Sequence, residues 1–296
     1  MPCYAPLDGW RSRKRTTLGK RSIVFDARDG YSDLRVTVPC GRCIGCRLEY
    51  SRQWAMRCMH EASLHDENCF LTLTYSPESL PKNGSLDKRD FQLFMKRLRG
   101  RSGKPIRFYH CGEYGEETLR PHYHALLFGF DFADKVLVSE RKGYPIFRSN
   151  FLEETWRLGL TEIGSVSFES AAYCTRYLVK SQAVGKTREQ RDAWYKDRCL
   201  EPEYVTMSRR PGIGAAWWSK YKEEVMGNDS VIVGGREVKP ARYYDGQFRQ
   251  SNPKAFASVR RARERASRSE EETGSRLEVR AKVAEAKFNF FKRGEL

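Results

Sequence analysis

Hydrophobic and polar positions in the middle of the chain follow patterns that predict strands and helices. The segment Phe-Leu-Thr-Leu-Thr-Tyr at 70–75 is rich in β-branched and aromatic residues, which predicts a strand. Asp87 is a helix-capping residue type, and it precedes an apolar face with helical spacing formed by Phe91, Phe94, Met95 and Leu98. Further strands are predicted at 106–113, 122–128 and 163–168, and further helices at 47–64, 151–157 and 171–180.

The order of these elements predicts the fold class. Strand, helix, strand, strand, helix, strand and helix follow one another, as in ferredoxin-like and RNA-recognition-type folds. We therefore expect an α+β protein whose antiparallel sheet carries helices on one face, with mostly helical N- and C-terminal flanks. The expected parts are a cysteine-containing segment over 1–65 packed on the core, the core itself over 66–185, and a basic helical extension over 186–296.

Charge points to a polyanionic partner. The 296 residues include 54 Lys and Arg against 38 Asp and Glu, a net charge of +16, which favours nucleic acid. Segments 1–65 and 253–296 carry +6 and +5 of this charge, whereas 66–185 carries only +2. No apolar run approaches the roughly 18 residues of a membrane span, and the first residues lack a signal-peptide pattern. We expect an intracellular protein without a membrane partner.

Two histidines form the sharpest candidate site. Alternation along the predicted strand places His122 and His124 on the same face. Paired imidazoles suit a divalent metal, and a metal used for chemistry needs a third ligand and open coordination positions. Glu113 is the preferred third ligand because the short link lets its strand pair with the histidine strand, while Glu116 and Glu117 lie nearer the turn. The alternative is a structural histidine pair.

A helical spacing of four and three residues places Tyr173, Tyr177 and Lys180 on one helix face. A phenol attacks phosphorus only if a base, a metal or a cation favours the phenolate. Lys180 is the cation that would do this or hold a phosphate. The alternative is a tyrosine stripe in the core. Histidines, a carboxylate, tyrosines and a basic surface together supply what nicking and resealing of DNA requires.

Three cysteines, Cys40, Cys43 and Cys46, lie within seven residues. Three thiolates at this spacing suit a structural zinc ion, which needs a fourth ligand. The candidates are Cys3, Cys58 and His60; Cys58 also fits a core position, and Cys3 is free to approach. The alternative is a glycine-containing turn with reduced thiols.

The chain resembles the HUH endonucleases and, among them, the replication initiators of gokushoviruses in the family Microviridae. The resemblance rests on 70–75, His122-Tyr-His124 and Tyr173-x-x-x-Tyr177-x-x-Lys180 in this order, with further similar segments at 40–47, 109–115, 120–124, 168–173 and 207–214. It covers most of the chain, from residue 1 to about 244.

The resemblance implies a rolling-circle mechanism. One tyrosine nicks the plus-strand origin of the replicative form and stays on the 5′ end, and the second later cleaves the regenerated origin so that the circle closes. It implies Mg²⁺ or Mn²⁺ held by the His pair and Glu113, phage origin DNA as substrate, a host helicase and DNA polymerase as partners, and the cytoplasm of the infected bacterium as location. Expected DNA contacts are Arg120, Arg176, Arg209 and Arg210.

Two rival functions remain at the level of sequence. A transposase or relaxase of the same superfamily would share the chemistry, although a mobilisation relaxase usually has its tyrosine before the histidine motif. A non-catalytic zinc-containing protein that binds single strands for packaging would bind DNA without cleaving it. The basic C-terminal arm is expected to govern salt-sensitive DNA binding more than nicking chemistry.

Overall fold

The computed structural model describes residues 3–17, 19–175, 187–266 and 274–293, which form two compact units. One unit comprises 1–50 and 262–296, and the other comprises 51–261. These boundaries differ from those expected after 65 and 185, and the expected domain boundaries stay a prediction. Within the described ranges, no helix is both long and apolar enough to cross a membrane.

The first unit contains a three-stranded antiparallel sheet in the order β2-β1-β3. Its strands are β1 (Leu7–Arg15), β2 (Arg21–Val24) and β3 (Gly30–Val38). The sequence shows no period here because most positions of these strands are exposed, so neither face requires a hydrophobic alternation. The mostly helical N-terminal flank expected from the sequence therefore differs from the structure, which places this sheet before α1 (Ile44–Ala62).

The second unit is built on a seven-stranded sheet in the order β10-β5-β6-β4-β9-β8-β7. Its strands are β4 (Asn68–Thr74), β5 (Arg107–Tyr114), β6 (Pro121–Phe128), β7 (Val136–Arg141), β8 (Tyr144–Arg148), β9 (Thr161–Gly164) and β10 (Tyr204–Met207). All pairs are antiparallel, and the four predicted strands form the centre, with β6 and β4 flanked by β5 and β9. The α+β class with an antiparallel sheet is thus confirmed.

The helices of the described residues are α1 and eight others. They are α2 (Lys88–Ser102), α3 (Asn150–Trp156), α4 (Phe168–Thr175), α5 (Arg188–Asp197), α6 (Ala215–Asn228), α7 (Arg242–Ser251), α8 (Pro253–Ala266) and α9 (Gly274–Arg293). A further two-stranded ribbon pairs β11 (Val231–Val233) with β12 (Arg236–Val238).

Helices pack on both faces of the large sheet, which differs from the expected single covered face. On one face, Leu71 and Leu73 of β4 join a core with α2 and α3. On the other, Leu126 and Phe128 of β6 join a core with α1 and α4. The apolar run Ala-Leu-Leu-Phe at the end of β6 is buried without alternation, as expected for a strand covered on both sides.

Helix α2 forms as its sequence predicts. The Asp87 side chain accepts a hydrogen bond from the backbone N–H of Arg89, and Gly103 ends the helix in the left-handed conformation with φ 67°. Its buried face consists of the four predicted residues, Phe91, Phe94, Met95 and Leu98.

Hydrogen bonds at the start of α2 also anchor β6. The hydroxyl of Tyr123, fully buried on the α2 face of β6, donates to the Asp87 carbonyl oxygen over 2.7 Å and accepts from the Asp87 N–H over 3.1 Å. Because neighbouring residues of a strand point to opposite faces, this bond fixes β6 from the side opposite His122 and His124.

Replacing Leu98 by Ala should lower the free energy of unfolding by about 2–5 kcal/mol, because Leu98 is fully buried and a cavity would remain. The matched control is Leu93→Ala on the same helix, whose side chain is 38% exposed. Urea unfolding of both variants measures the difference. Equal losses would contradict the assignment of the buried face.

Candidate metal centre and nucleophile

Paired central strands bring the candidate ligands together. In the β5–β6 ladder Glu113 lies directly opposite His122, and Cys111 lies opposite His124. Because side chains alternate along a strand, His122, His124 and Glu113 share the face covered by α1 and α4. The register of the ladder, rather than proximity along the chain, selects Glu113. Glu116 and Glu117 lie exposed in the turn.

The three side chains converge on one point. The Nε2 atoms of His122 and His124 lie 3.3 Å and 3.1 Å from the same Glu113 carboxylate oxygen, Oε1. The imidazole rings are nearly perpendicular, at 82°, with centroids 5.0 Å apart. One ligand atom from each residue fits within 4.8 Å of the others. This arrangement leaves the ring edges, not the ring faces, directed at a common position.

The far ring nitrogens are held by hydrogen bonds. His122 Nδ1 lies 3.1 Å from the Arg120 carbonyl oxygen, an acceptor, so Nδ1 carries the proton and Nε2 of the neutral ring has the lone pair. Nδ1 of His124 lies 3.1 Å from the Thr72 hydroxyl on β4. Such contacts orient ligand histidines in metal sites. Thr72 was not singled out from the sequence, although it occupies the β4 position opposite His124.

The donor set fits a divalent cation. The Glu113 side chain is only 2% exposed, and a buried carboxylate requires a positive partner. His122 Nε2 lies 3.3 Å from a carboxylate oxygen of Glu113, and an imidazole nitrogen and a carboxylate oxygen can approach this closely only with a proton or a cation between them. Two imidazoles and one carboxylate leave open coordination positions for a substrate oxygen.

Tyr173 lies at the edge of this group. Its ring meets that of His124 edge to face, with centroids 4.9 Å apart at 89°. Burial raises the pKa of the Tyr173 phenol, and the charge of Glu113 and a hydrogen bond to that carboxylate raise it further. These effects favour the protonated phenol. A cation bound by Glu113 would neutralise this charge and favour the phenolate.

Helix α4 is fixed around Tyr173 by its buried face, formed by Ala171, Cys174 and Thr175. The Thr175 hydroxyl lies 2.6 Å from that of Ser51 on α1. These contacts set the direction in which Tyr173 points.

Several predicted site residues lie elsewhere or outside the described residues. Tyr177, Lys180 and Arg176 are outside them. Arg209 and Arg210 are exposed, in the turn that follows β10. Arg120 is half-buried, and its guanidinium donates to the Tyr75 carbonyl oxygen over 2.8 Å.

Four cysteines form a second group, in the first unit. Cys3 joins Cys40, Cys43 and Cys46, and the four sulfur atoms lie within 4.8 Å of one another. Burial raises the pKa of Cys43, but backbone donors at Tyr4 and Cys46 and neighbouring thiols outweigh this and lower the pKa to about 7. Burial and the neighbouring thiols of Cys3 and Cys43 raise the pKa of Cys46. Cys43 thus becomes a thiolate more readily than Cys46.

Comparisons with known proteins place the chain in a family. Residues 68–182, which contain Glu113, His122, His124 and Tyr173, match the family model of replication-associated protein ORF2/G2P. Over 229 residues the chain is 37% identical to replication-associated protein VP4 of Bdellovibrio phage phiMH2K, covering 74% of this chain and 69% of that protein.

Two further relatives are also replication-associated proteins. Replication-associated protein ORF2 of Spiroplasma virus 4 is 32% identical over 223 residues, covering 71% of this chain and 67% of that protein. Replication-associated protein ORF4 of Chlamydia phage 1 is 31% identical over 234 residues, covering 75% and 57%. No solved structure is detectably similar to the chain. The chain belongs to this family of replication-associated proteins, which confirms the resemblance to the Microviridae proteins.

Mn²⁺ should raise the thermal unfolding temperature of the wild-type protein, because a ligand that binds only the folded state stabilises it, by about 2.7 kcal/mol at 100 times its dissociation constant. His124→Ala should abolish this gain, whereas His65→Ala, outside the group, should retain it. Differential scanning calorimetry with and without Mn²⁺ measures the gain for each variant. An equal gain in the His124 variant would remove His124 from the cation site.

Proposed function

We propose that the protein initiates rolling-circle replication of phage DNA by nicking one strand at the origin and later rejoining it through a 5′-phosphotyrosine intermediate. The observation that carries the proposal is the convergence of Glu113, His122 and His124 beside the phenol of Tyr173. Two features support a nucleic-acid substrate: the net charge of +16 and the replication-associated names of the relatives.

Glu113 Oε1 and the Nε2 atoms of His122 and His124 would hold Mg²⁺ or Mn²⁺. When bound, the ion would act as a Lewis acid on a phosphate oxygen of the scissile bond. Imidazole ligands are less suited to Mg²⁺, which prefers oxygen, so this donor set favours Mn²⁺ of the two. Thr72 and the Arg120 carbonyl oxygen keep the two imidazoles turned with Nε2 inward.

Of the two candidate nucleophiles, Tyr173 is the one that lies among the described residues. Its oxygen would form a bond to phosphorus while the bond from phosphorus to the 3′ oxygen breaks, and its proton leaves along the hydrogen bond to Glu113. The 3′ oxygen takes up a proton and becomes a hydroxyl that primes synthesis. One phosphoester replaces another, so the reverse attack by a 3′ hydroxyl reseals the strand without an energy source.

Tyr177 and Lys180 complete the proposal on sequence grounds. Tyrosines four residues apart would occupy adjacent turns of one helix, which suits alternate use in successive rounds of cleavage. Lys180 would stabilise a phenolate or hold a phosphate. Host helicase and DNA polymerase are the proposed partners, in the cytoplasm of the infected bacterium.

The four cysteines serve a different purpose in this proposal. Thiolates are soft ligands, which suit zinc and not Mg²⁺ or Mn²⁺. We therefore assign the group of Cys3, Cys40, Cys43 and Cys46 a structural zinc ion without a role in strand cleavage.

Tyr173→Phe and Tyr177→Phe should each weaken multi-turn synthesis, and the double variant should form no covalent adduct, because no phenol remains to attack phosphorus. The assay incubates each protein with a labelled origin oligonucleotide and Mn²⁺, and peptide mapping locates the modified tyrosine. Tyr144→Phe is the matched control, since Tyr144 is 54% exposed on β8.

Full adduct formation by the double variant would refute the assignment of the nucleophiles. DNA binding without cleavage by the wild-type protein would instead favour the packaging function. A protein with both His122→Ala and His124→Ala that still cleaves normally with Mn²⁺ would remove the metal role.

Neutralising basic side chains of α8 should reduce the salt dependence of DNA binding more than the rate of nicking. Arg260, Arg261 and Arg265 are exposed on α8. If all three contact phosphates, their replacement by Gln should lower the slope of log K against log salt by about 2 for single strands. Fluorescence anisotropy over a salt series measures the slope, and Lys142→Gln in the β7–β8 turn is the control. An unchanged slope would count against a DNA contact by this helix.

A further inference from the structure

Two sulfur atoms of the four-cysteine group are spaced as zinc ligands are, and not as the atoms of a disulfide. The Sγ atoms of Cys40 and Cys46 are 4.0 Å apart, and all four cysteines are unbridged thiols. A disulfide requires about 2.05 Å. Tetrahedral zinc with bonds of about 2.3 Å places its sulfur ligands about 3.8 Å apart. The distance between the Cys40 and Cys46 sulfur atoms lies near this value.

Backbone N–H groups already point at three of the sulfur atoms. The N–H of Cys40 donates to Cys3 Sγ over 3.3 Å, and that of Tyr4 donates to Cys43 Sγ over 3.3 Å. Cys40 Sγ accepts from the N–H groups of Arg42 and Cys43, over 3.4 Å and 3.3 Å. Such donors stabilise negative charge on sulfur, as partners outside the coordination shell do in metal sites. Gly41 permits this turn because its φ of +72° is unfavourable for other residues.

The other two candidates for the fourth ligand are engaged elsewhere. Cys58 is fully buried among apolar side chains of the core shared by α1 and α4. His60 Nδ1 lies 2.9 Å from the Tyr244 hydroxyl, and its ring stacks on Trp217 with centroids 3.6 Å apart. Cys3 alone of the three reaches the cysteine group.

The group also lies at the start of α1. Cys43 directly precedes the helix, Cys46 lies in its first turn, and that turn contains no acidic residue. Helix N-termini present unpaired N–H groups and a partial positive charge, which acidic or hydroxyl side chains usually satisfy. Four thiolates around zinc form a doubly negative group that would fill this role.

We propose that Cys3 is the fourth ligand of a zinc ion held with Cys40, Cys43 and Cys46, and that the zinc–thiolate group caps α1 and ties the N-terminal residues to it. Binding releases to solvent the protons that the four thiols still carry as the four zinc–sulfur bonds form, with no change of oxidation state. The inference rests on the proposed structural zinc and does not depend on the nicking chemistry.

Metal content tests the ligand assignment. The full chain is purified without chelator and its metals are measured by mass spectrometry. Wild type and the control Cys199→Ser, an exposed thiol outside the group, should each hold about one zinc. Cys3→Ser should weaken zinc binding by more than roughly 10- to 100-fold, which is the cost of removing a residue that only hydrogen-bonds to a metal ligand. Cys3→His should restore it, because three cysteines and one histidine are a common zinc set.

A zinc-free wild type, iron in place of zinc, or unchanged affinity in Cys3→Ser would overturn the assignment. A second measurement, made on the wild-type protein, tests the site even if the Cys3 variants do not fold. In the intact wild type, alkylation of the four thiols should accelerate when zinc is removed, while Cys199 reacts equally in both states. Equal alkylation rates with and without zinc would overturn the site.

Hydrogen exchange tests the cap. Amides at 44–47 should exchange faster after zinc removal, and unchanged exchange would refute the capping role. Tyrosine adduct formation is scored separately in the origin assay, so failure of the zinc site and failure of the nuclease proposal are distinguishable.

Discussion

The pairing register of β5 and β6 is the constraint on which the candidate centre depends. It sets Glu113 opposite His122 and so brings three donors to one point. A slip of one residue would turn every side chain of a strand to the other face of the sheet. The register is well determined because both faces are buried, one against α2 and α3 and the other against α1 and α4. Helix packing on both faces of the sheet thus helps to fix the positions of the three candidate ligands.

The periodicity of the sequence predicted those features that depend on the geometry of a single strand or a single helix. Strand alternation placed His122 and His124 on one face, and helical spacing identified the buried face of α2. Glu113 was preferred because its strand could pair with β6, and the structure places it there. Thr72 could have been found only by knowing that β4 is the other neighbour of β6. The sheet at 7–38 had no signal because its strands are largely exposed.

The two metal-capable groups differ in ligand type and in how the chain forms them. Imidazoles and a carboxylate come from paired strands of the second unit, and thiols come from a turn and the N-terminal residues of the first. Ligand type contributes to metal selectivity, so the two sets suit different classes of ion. The spacing of Cys40, Cys43 and Cys46 predicted a metal, but the choice of Cys3 needed the fold.

The Tyr123 hydroxyl, bonded to both backbone groups of Asp87, has a consequence for how the protein tolerates change. Tyr123 sits between two residues that meet the candidate ion, yet its own ring lies across the sheet from them. A substitution at the start of α2 could therefore shift β6 and disturb ligand geometry without altering any group that touches DNA. Substitutions on the α2 face of the sheet are therefore constrained by the candidate metal ligands on the opposite face.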